Sequence, residues 1–252
     1  ANNTFSNNTF TLLQRDATFP TYTNNTFSNN TNKVIAVAGN FASGTGTWSN
    51  IQGLNMPYLV YDNFTIGPIA TLTIDPGLVI KFKYDPSSNY KRNIIVNGTL
   101  DLQGTAGNPI IFTSERDDDY GGDSNGDGNA TTKAPGDWGY IKITNSANNF
   151  HDAIVRYGGG TNYAFYSLWA ESASPTIQNN IFAYSGGAAC STYICSAVYL
   201  NNAGGSQQVS GNTFSSNPIG LYINSANATV SGNTFSSNTT GLTINSTSTT
   251  LS

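Results

Sequence analysis

The chain has 252 residues and only 24 charges, 10 basic and 14 acidic, while 34 Asn, 31 Thr and 26 Ser make up over a third of it. A net charge of −4 leaves no basic footprint for nucleic acid, no apolar run approaches the roughly 18 residues of a membrane span, and poor helix formers are too abundant for long helices. Leu, Ile, Val and Phe total 54 at low net charge, which argues against disorder, so the composition predicts a β-rich, neutral-surfaced protein able to bury a core.

The first element is a repeat. N-N-T-F-S-N-N-T occupies positions 2–9 and returns at 24–31, an offset of 22. Residues 1–40 read as coils of a stacked structure, and as closing coils, because a block that looks like an opening starts only at Thr47. The expected division is therefore 1–40 and a main body over 41–252. Ala1 follows no apolar targeting segment, as in a mature secreted protein or an excised fragment.

The middle of the chain carries T-W-S at 47–49, L-T-I-D-P-G at 72–77 and V-N-G-T-L-D-L-Q-G-T-A-G-N-P-I-I-F-T-S at 96–114. G-D-W-G-Y-I follows at 136–141 and R-Y-G-G at 156–159. In this order and spacing, residues 47–160 resemble a recurrent block of secreted right-handed parallel β-helix proteins. The resemblance implies the architecture shared by pectate lyases, without their activity.

An acidic insertion lies within 115–137. Asp123, Asn125, Asp127 and Gly128 spell D-x-N-x-D-G, the first half of a calcium loop, in which oxygens at positions 1, 3 and 5 wrap one cation. Position 12 is Ala134, so an Asp from 117–119, taken as Asp119, or Asp137 is expected to close the shell around a structural Ca²⁺. A solvated acidic loop is the alternative. Downstream, His151, Asp152, Arg156 and Glu171 are the best catalytic set available, yet they are also what a few surface charges look like. No catalytic residue is assigned. Tyr157, Tyr163, Phe165, Tyr166 and Trp169 form an aromatic group that suits a carbohydrate platform, although alternation sends most of them to core or interface.

Cys190 and Cys195 share a Gly/Ala/Ser/Tyr stretch over 186–196. The short spacer fits a loop disulfide, with two buried thiols as the alternative. The closing segment is the clearest. V-S-G-N-T-F-S-S-N-P-I-G-L-Y-I-N starts at Val209 and V-S-G-N-T-F-S-S-N-T-T-G-L-T-I-N at Val230, an offset of 21. Phe214/Phe235, Leu221/Leu242 and Ile223/Ile244 superpose. Two short strands per unit cannot bury an apolar face alone, whereas one unit per coil gives backbone groups partners above and below. A period of 21–22 is too short for propeller blades or helical repeats. The fold expected is all-β, a right-handed parallel β-helix with that period per coil and with loop insertions.

Ten N-x-S/T sequons, at Asn2, Asn7, Asn24, Asn29, Asn63, Asn97, Asn129, Asn227, Asn238 and Asn245, are available for glycosylation. The Phe spacing of 21–22 continues from Phe235 through the last residue into Phe5 and on to Phe27. The functional expectation is therefore an extracellular or cell-surface protein stacking head to tail with itself into a filament or sheath. Leu242, Ile244 and Leu251 of one copy would meet Phe5, Phe10 and Leu12 of the next. The same junction made covalently, in a tandem polypeptide, is the rival. A glycan-binding adhesin and, behind it, a polysaccharide lyase or glycoside hydrolase are the other readings.

Overall fold

The computed structural model describes every residue except 87–89, 162–163, 188–189, 191–192, 202–204 and 225. It is a parallel β-helix. The strand Tyr58–Ile74 shows how the coil is built, because it bends around all three sides. Its residues 58–60 pair with Ile80–Phe82, 64–66 with Ile94–Val96, and 71–74 with Thr99–Leu102, all parallel. These segments define a first, second and third face. Each backbone N–H and C=O within a face thus finds its partner one coil away, along the solenoid axis.

Inward side chains stack in columns. Down the first face run Leu12, Ile35, Tyr58, Ile80, Phe112, Val155, Phe182, Phe214 and Phe235. The second face stacks Phe64, Ile94, Ile141, Leu168, Val198, Leu221 and Leu242. Trp48, Ile74 and Leu102 begin the third. A five-stranded sheet, from Asn149–His151 to Thr250–Leu251, packs beyond them. The alternation explains the strands: Ile94 and Val96 are fully buried and Ile95 between them is not. Gly220, in the G-L-x-I motif, is fixed by crowding. A Cβ there would come within 2.6 Å of the Gly241 carbonyl oxygen and 2.9 Å of Phe214.

Corners between faces use left-handed residues. Asp152, Asn179, Gly211 and Gly232 turn the chain onto the first face, and Tyr157, Tyr184, Ser216 and Ser237 turn it off again, all at positive φ. Coil length follows the insertions. The step in sequence number is 21 from Phe214 to Phe235, 22 from Tyr58 to Ile80, and 43 from Phe112 to Val155 around the acidic loop. Under that loop Trp138 stacks on Phe82 with centroids 4.0 Å apart, and its indole N–H donates to the Arg156 carbonyl at 2.7 Å.

Two expectations need correction or qualification. Residue 40 is not a boundary, because a single strand, Asn32–Trp48, runs through it and pairs with Tyr58–Ile74 along its length. The strands Thr4–Ser6 and Thr26–Ser28 do form successive coils, but in a two-stranded sheet of their own, outside the first-face column.

Candidate functional sites: the end coils and the acidic loop

The T-F-S strands are held by side-chain amides on both sides. Before the strand, Asn180, Asn212 and Asn233 form one ladder. In each step the backbone N–H and Nδ2 of one Asn both donate to the Oδ1 of the Asn one coil on, at 2.9–3.0 Å. The Asn212 and Asn233 Nδ2 groups also donate back to the Ile177 and Val209 carbonyls. After the strand, Asn217 and Asn238 repeat the arrangement, with Asn238 Nδ2 on the Phe214 carbonyl. Each amide joins three chain segments. Abundant Asn is therefore compatible with order here: its donors and acceptors replace backbone partners that the corner leaves open.

The first coils are built the same way. Asn3 donates through N–H and Nδ2 to Asn25 Oδ1, and Asn25 likewise to Gln52 Oε1. Asn8 donates through both groups to Asn30 Oδ1, and Asn30 Nδ2 returns to the Phe5 carbonyl. Phe5 stacks on Phe27 with centroids 5.1 Å apart, as Phe214 does on Phe235 at 4.9 Å. Of the expected interface residues, Leu242, Phe5, Phe10 and Leu12 are half-buried, Ile244 is 40 % exposed and Leu251 58 %. One coil inward, Leu221 and Ile223 are fully buried. Phe10 is engaged within its own chain, edge-on to Tyr61.

In the acidic loop, Asp118, Asp123 and Asp127 each place an oxygen within 4.8 Å of the others. Asp123 is positioned by the loop backbone, accepting N–H bonds from Gly126, Asp127 and Gly128 at 2.8–3.1 Å. Asn125 Nδ2 donates to Asp127 Oδ2 at 2.9 Å. One oxygen each of Asp118 and Asp127 is buried with no hydrogen-bond partner. Burial, and then the charges of Asp123 and Asp127, raise the Asp118 carboxyl above the usual carboxylate range. Such a set of hard oxygens suits a divalent cation.

The two residues expected to close this shell are committed elsewhere. Asp119 meets Lys133 at 2.6 Å and Arg156 at 3.7 Å, and Lys133 holds its pKa down. Asp137 pairs with Arg116 at 3.0 Å and accepts from the Ser114 hydroxyl and the Ala134 N–H. Asp118 is the carboxylate that lies together with Asp123 and Asp127. Asp117 and Asp119 both reach Lys133 and Arg156, whereas Asp118 sits in the turn between them. Lys81, with no exposed surface, supports the loop from below by donating to the Gly122 carbonyl at 2.7 Å, and burial lowers its pKa to about 8. Glu115, whose Oε1 accepts from the Tyr84 N–H, is pushed up to about 7 by burial. Nothing in the local sequence marks Lys81 as buried.

The remaining candidates disperse. His151 Nδ1 and Asp152 Oδ2 lie 2.9 Å apart, but Arg156 is on the first face among Asp117, Asp119 and Tyr157, and Glu171 on the second, bonded to Asn201. Tyr157 and Phe165 are buried, and Tyr163 lies outside the described residues. Tyr166 stacks on Tyr199 at 4.1 Å, and Trp169 has Lys142 Nζ 3.8 Å from its ring and Tyr140 against its edge. Each of these two rings thus already has a neighbour within the ladder against one face. Eight sequon asparagines are exposed, and Asn97 and Asn238 are half-buried. The Asn238 amide is committed to its ladder. Cys190 and Cys195 form a disulfide, a mark of an oxidising compartment. No helix among the described residues is long and apolar enough to cross a membrane.

A family model described as "Protein of unknown function (DUF1565)" matches residues 138–251, somewhat under half of the chain, and that family has parallel β-helix architecture. No curated protein and no solved structure matches the chain.

Proposed function

We propose that the protein is an extracellular structural subunit that stacks head to tail into a filament or sheath. The observation carrying this reading is that the first and last coils share one construction. Each has a T-F-S strand with an inward Phe, flanked by Asn on both sides and followed by a six-residue strand. Leu242, Ile244 and Leu251 leave apolar surface at the last coil, and sheet edges of this kind template further strands. A top-to-bottom contact is heterologous and propagates. The disulfide and exposed sequons suit an extracellular setting, with glycans on some of those asparagines. The acidic loop would hold a structural Ca²⁺ through Asp118, Asp123 and Asp127, ordering the long insertion.

The test is assembly of the purified, oxidised chain, followed by sedimentation velocity and negative-stain microscopy. Fibres one solenoid wide support the reading. A monodisperse monomer at high concentration overturns it, and intact mass of native material separates subunits from a tandem polypeptide. A glycan adhesin is less favoured, since Tyr166 and Trp169 already hold Tyr199 and Lys142 against a ring face.

A further inference from the structure

We infer that successive copies are seated by the two asparagine ladders and are rotated by one face of the solenoid, so that the second face of one copy runs into the first face of the next. The inference rests on the head-to-tail reading and adds its register and rotation.

The register comes from a constant offset of 230 in sequence number, which superposes the strands, corners and ladder residues of 2–15 on those of 232–245. Thr4–Ser6 falls on Thr234–Ser236, and Phe10–Arg15 on Thr240–Asn245. The left-handed corners Asn2 and Asn7 fall on Gly232 and Ser237. The ladder residues Asn3 and Asn8 fall on Asn233 and Asn238. Among the described residues, the backbone N–H groups of Asn233 and Asn238 donate to nothing, and Oδ1 of Asn3 and Asn8 accepts nothing. Docking the next copy in this register gives each donor its acceptor. The free Nδ2 protons of Asn3 and Asn8 then reach the Val230 and Phe235 carbonyls, as Asn233 and Asn238 reach Val209 and Phe214. Each end thus supplies both donors and acceptors, and in this register every one of these groups meets its complement on the other end. Phe235 continues onto Phe5 and Leu242 onto Leu12, while Ile244 covers the stem of Gln14.

The rotation follows from topology. Thr240–Asn245 lies on the second face, in the column of Leu221. Its counterpart Phe10–Arg15 lies on the first face, in the column of Ile35 and Tyr58. Superposing them advances the solenoid by one of its three faces, roughly a third of a turn, which gives an open helical array. The first face has nine rungs from Leu12 to Phe235, so at a strand spacing of about 4.8 Å each copy adds about 45 Å.

Paired cysteine variants read this directly. In the proposed register Ser236 of one copy lies one rung from Ser6 of the next, within the Cα separation a disulfide spans. In an unrotated stack, first face on first face, Ser236 would instead meet Leu13. Oxidation of assembled Ser6→Cys/Ser236→Cys protein should yield a ladder of covalent multimers on a non-reducing gel. Leu13→Cys/Ser236→Cys should stay monomeric under the same conditions. Fibres that cross-link only through the Leu13 pair, or through neither pair, would overturn the register and rotation and leave the filament reading standing. Absence of fibres from the unmodified protein overturns both.

Discussion

Asn233 Oδ1 accepts two hydrogen bonds from Asn212, one from its backbone N–H and one from Nδ2, each 2.9 Å long. Asn212 in turn receives the same pair from Asn180 and is 1 % exposed. Asn212→Ala should therefore strand the buried Asn180 N–H, at about 1–3 kcal/mol, and remove the side-chain bond to the Ile177 carbonyl. Asn233→Ala, in a half-exposed coil, should cost less. Urea unfolding of the two variants checks the order, and equal losses would show that burial of the ladder does not set its value.

The phenylalanine column makes a parallel case. Phe214 has no exposed surface and is stacked between Phe182, at 5.3 Å, and Phe235, at 4.9 Å. Phe214→Ala should lower stability by on the order of 3–5 kcal/mol. Phe235→Ala, which loses a half-exposed ring, should fall well short of that in the isolated chain by the same denaturation measurement.

Glu115 gives a pH signature. Burial raises its carboxyl from 4.5 to about 7, so between those values the folded chain binds more proton than the unfolded one. Its contribution to stability is present in full below about 4.5 and is lost as pH rises through about 7. Glu115→Gln should flatten the fall across this window, measured as the urea midpoint from pH 4 to 8. An unchanged slope would remove Glu115 as its source.

For the acidic loop, equilibrium dialysis at millimolar free calcium should show one ion per chain. Asp123→Asn and Asp118→Asn should lose it, and Asp119→Asn should keep it because that carboxylate is held by Lys133 and Arg156. No uptake by the unaltered chain would dispose of the site.

Much of the solenoid is legible from the sequence because stacking gives equivalent residues in every coil the same surroundings. Phe214 and Phe235, or Leu221 and Leu242, repeat for that reason. The disulfide was readable from local spacing. The choice of Asp118 over Asp119 and Asp137 was not, since it depends on cations arriving from Arg116, Lys133 and Arg156. The Phe spacing of 21–22 also conceals a change of face. Phe5 and Phe235 keep step along the chain, but spacing counts residues per coil and carries no record of which side a strand occupies. Only the pairing of Phe10–Arg15 with Asn32–Trp48 reveals it.

The parallel rungs have a mechanical consequence. Their hydrogen bonds lie along the axis, so a pull along it strains a whole coil's bonds together and the chain then unwinds like thread from a spool. A coil such as Phe214–Phe235 would release about 70 Å of contour length, and the longer coil between Phe112 and Val155 about twice that. The Cys190–Cys195 bridge would withhold the segment it closes until reduced. Single-molecule stretching should therefore show a force trace of unequal steps, with one step lengthened by reductant. Toughness would come from many modest coil losses in sequence, and a uniform extension without steps would contradict it.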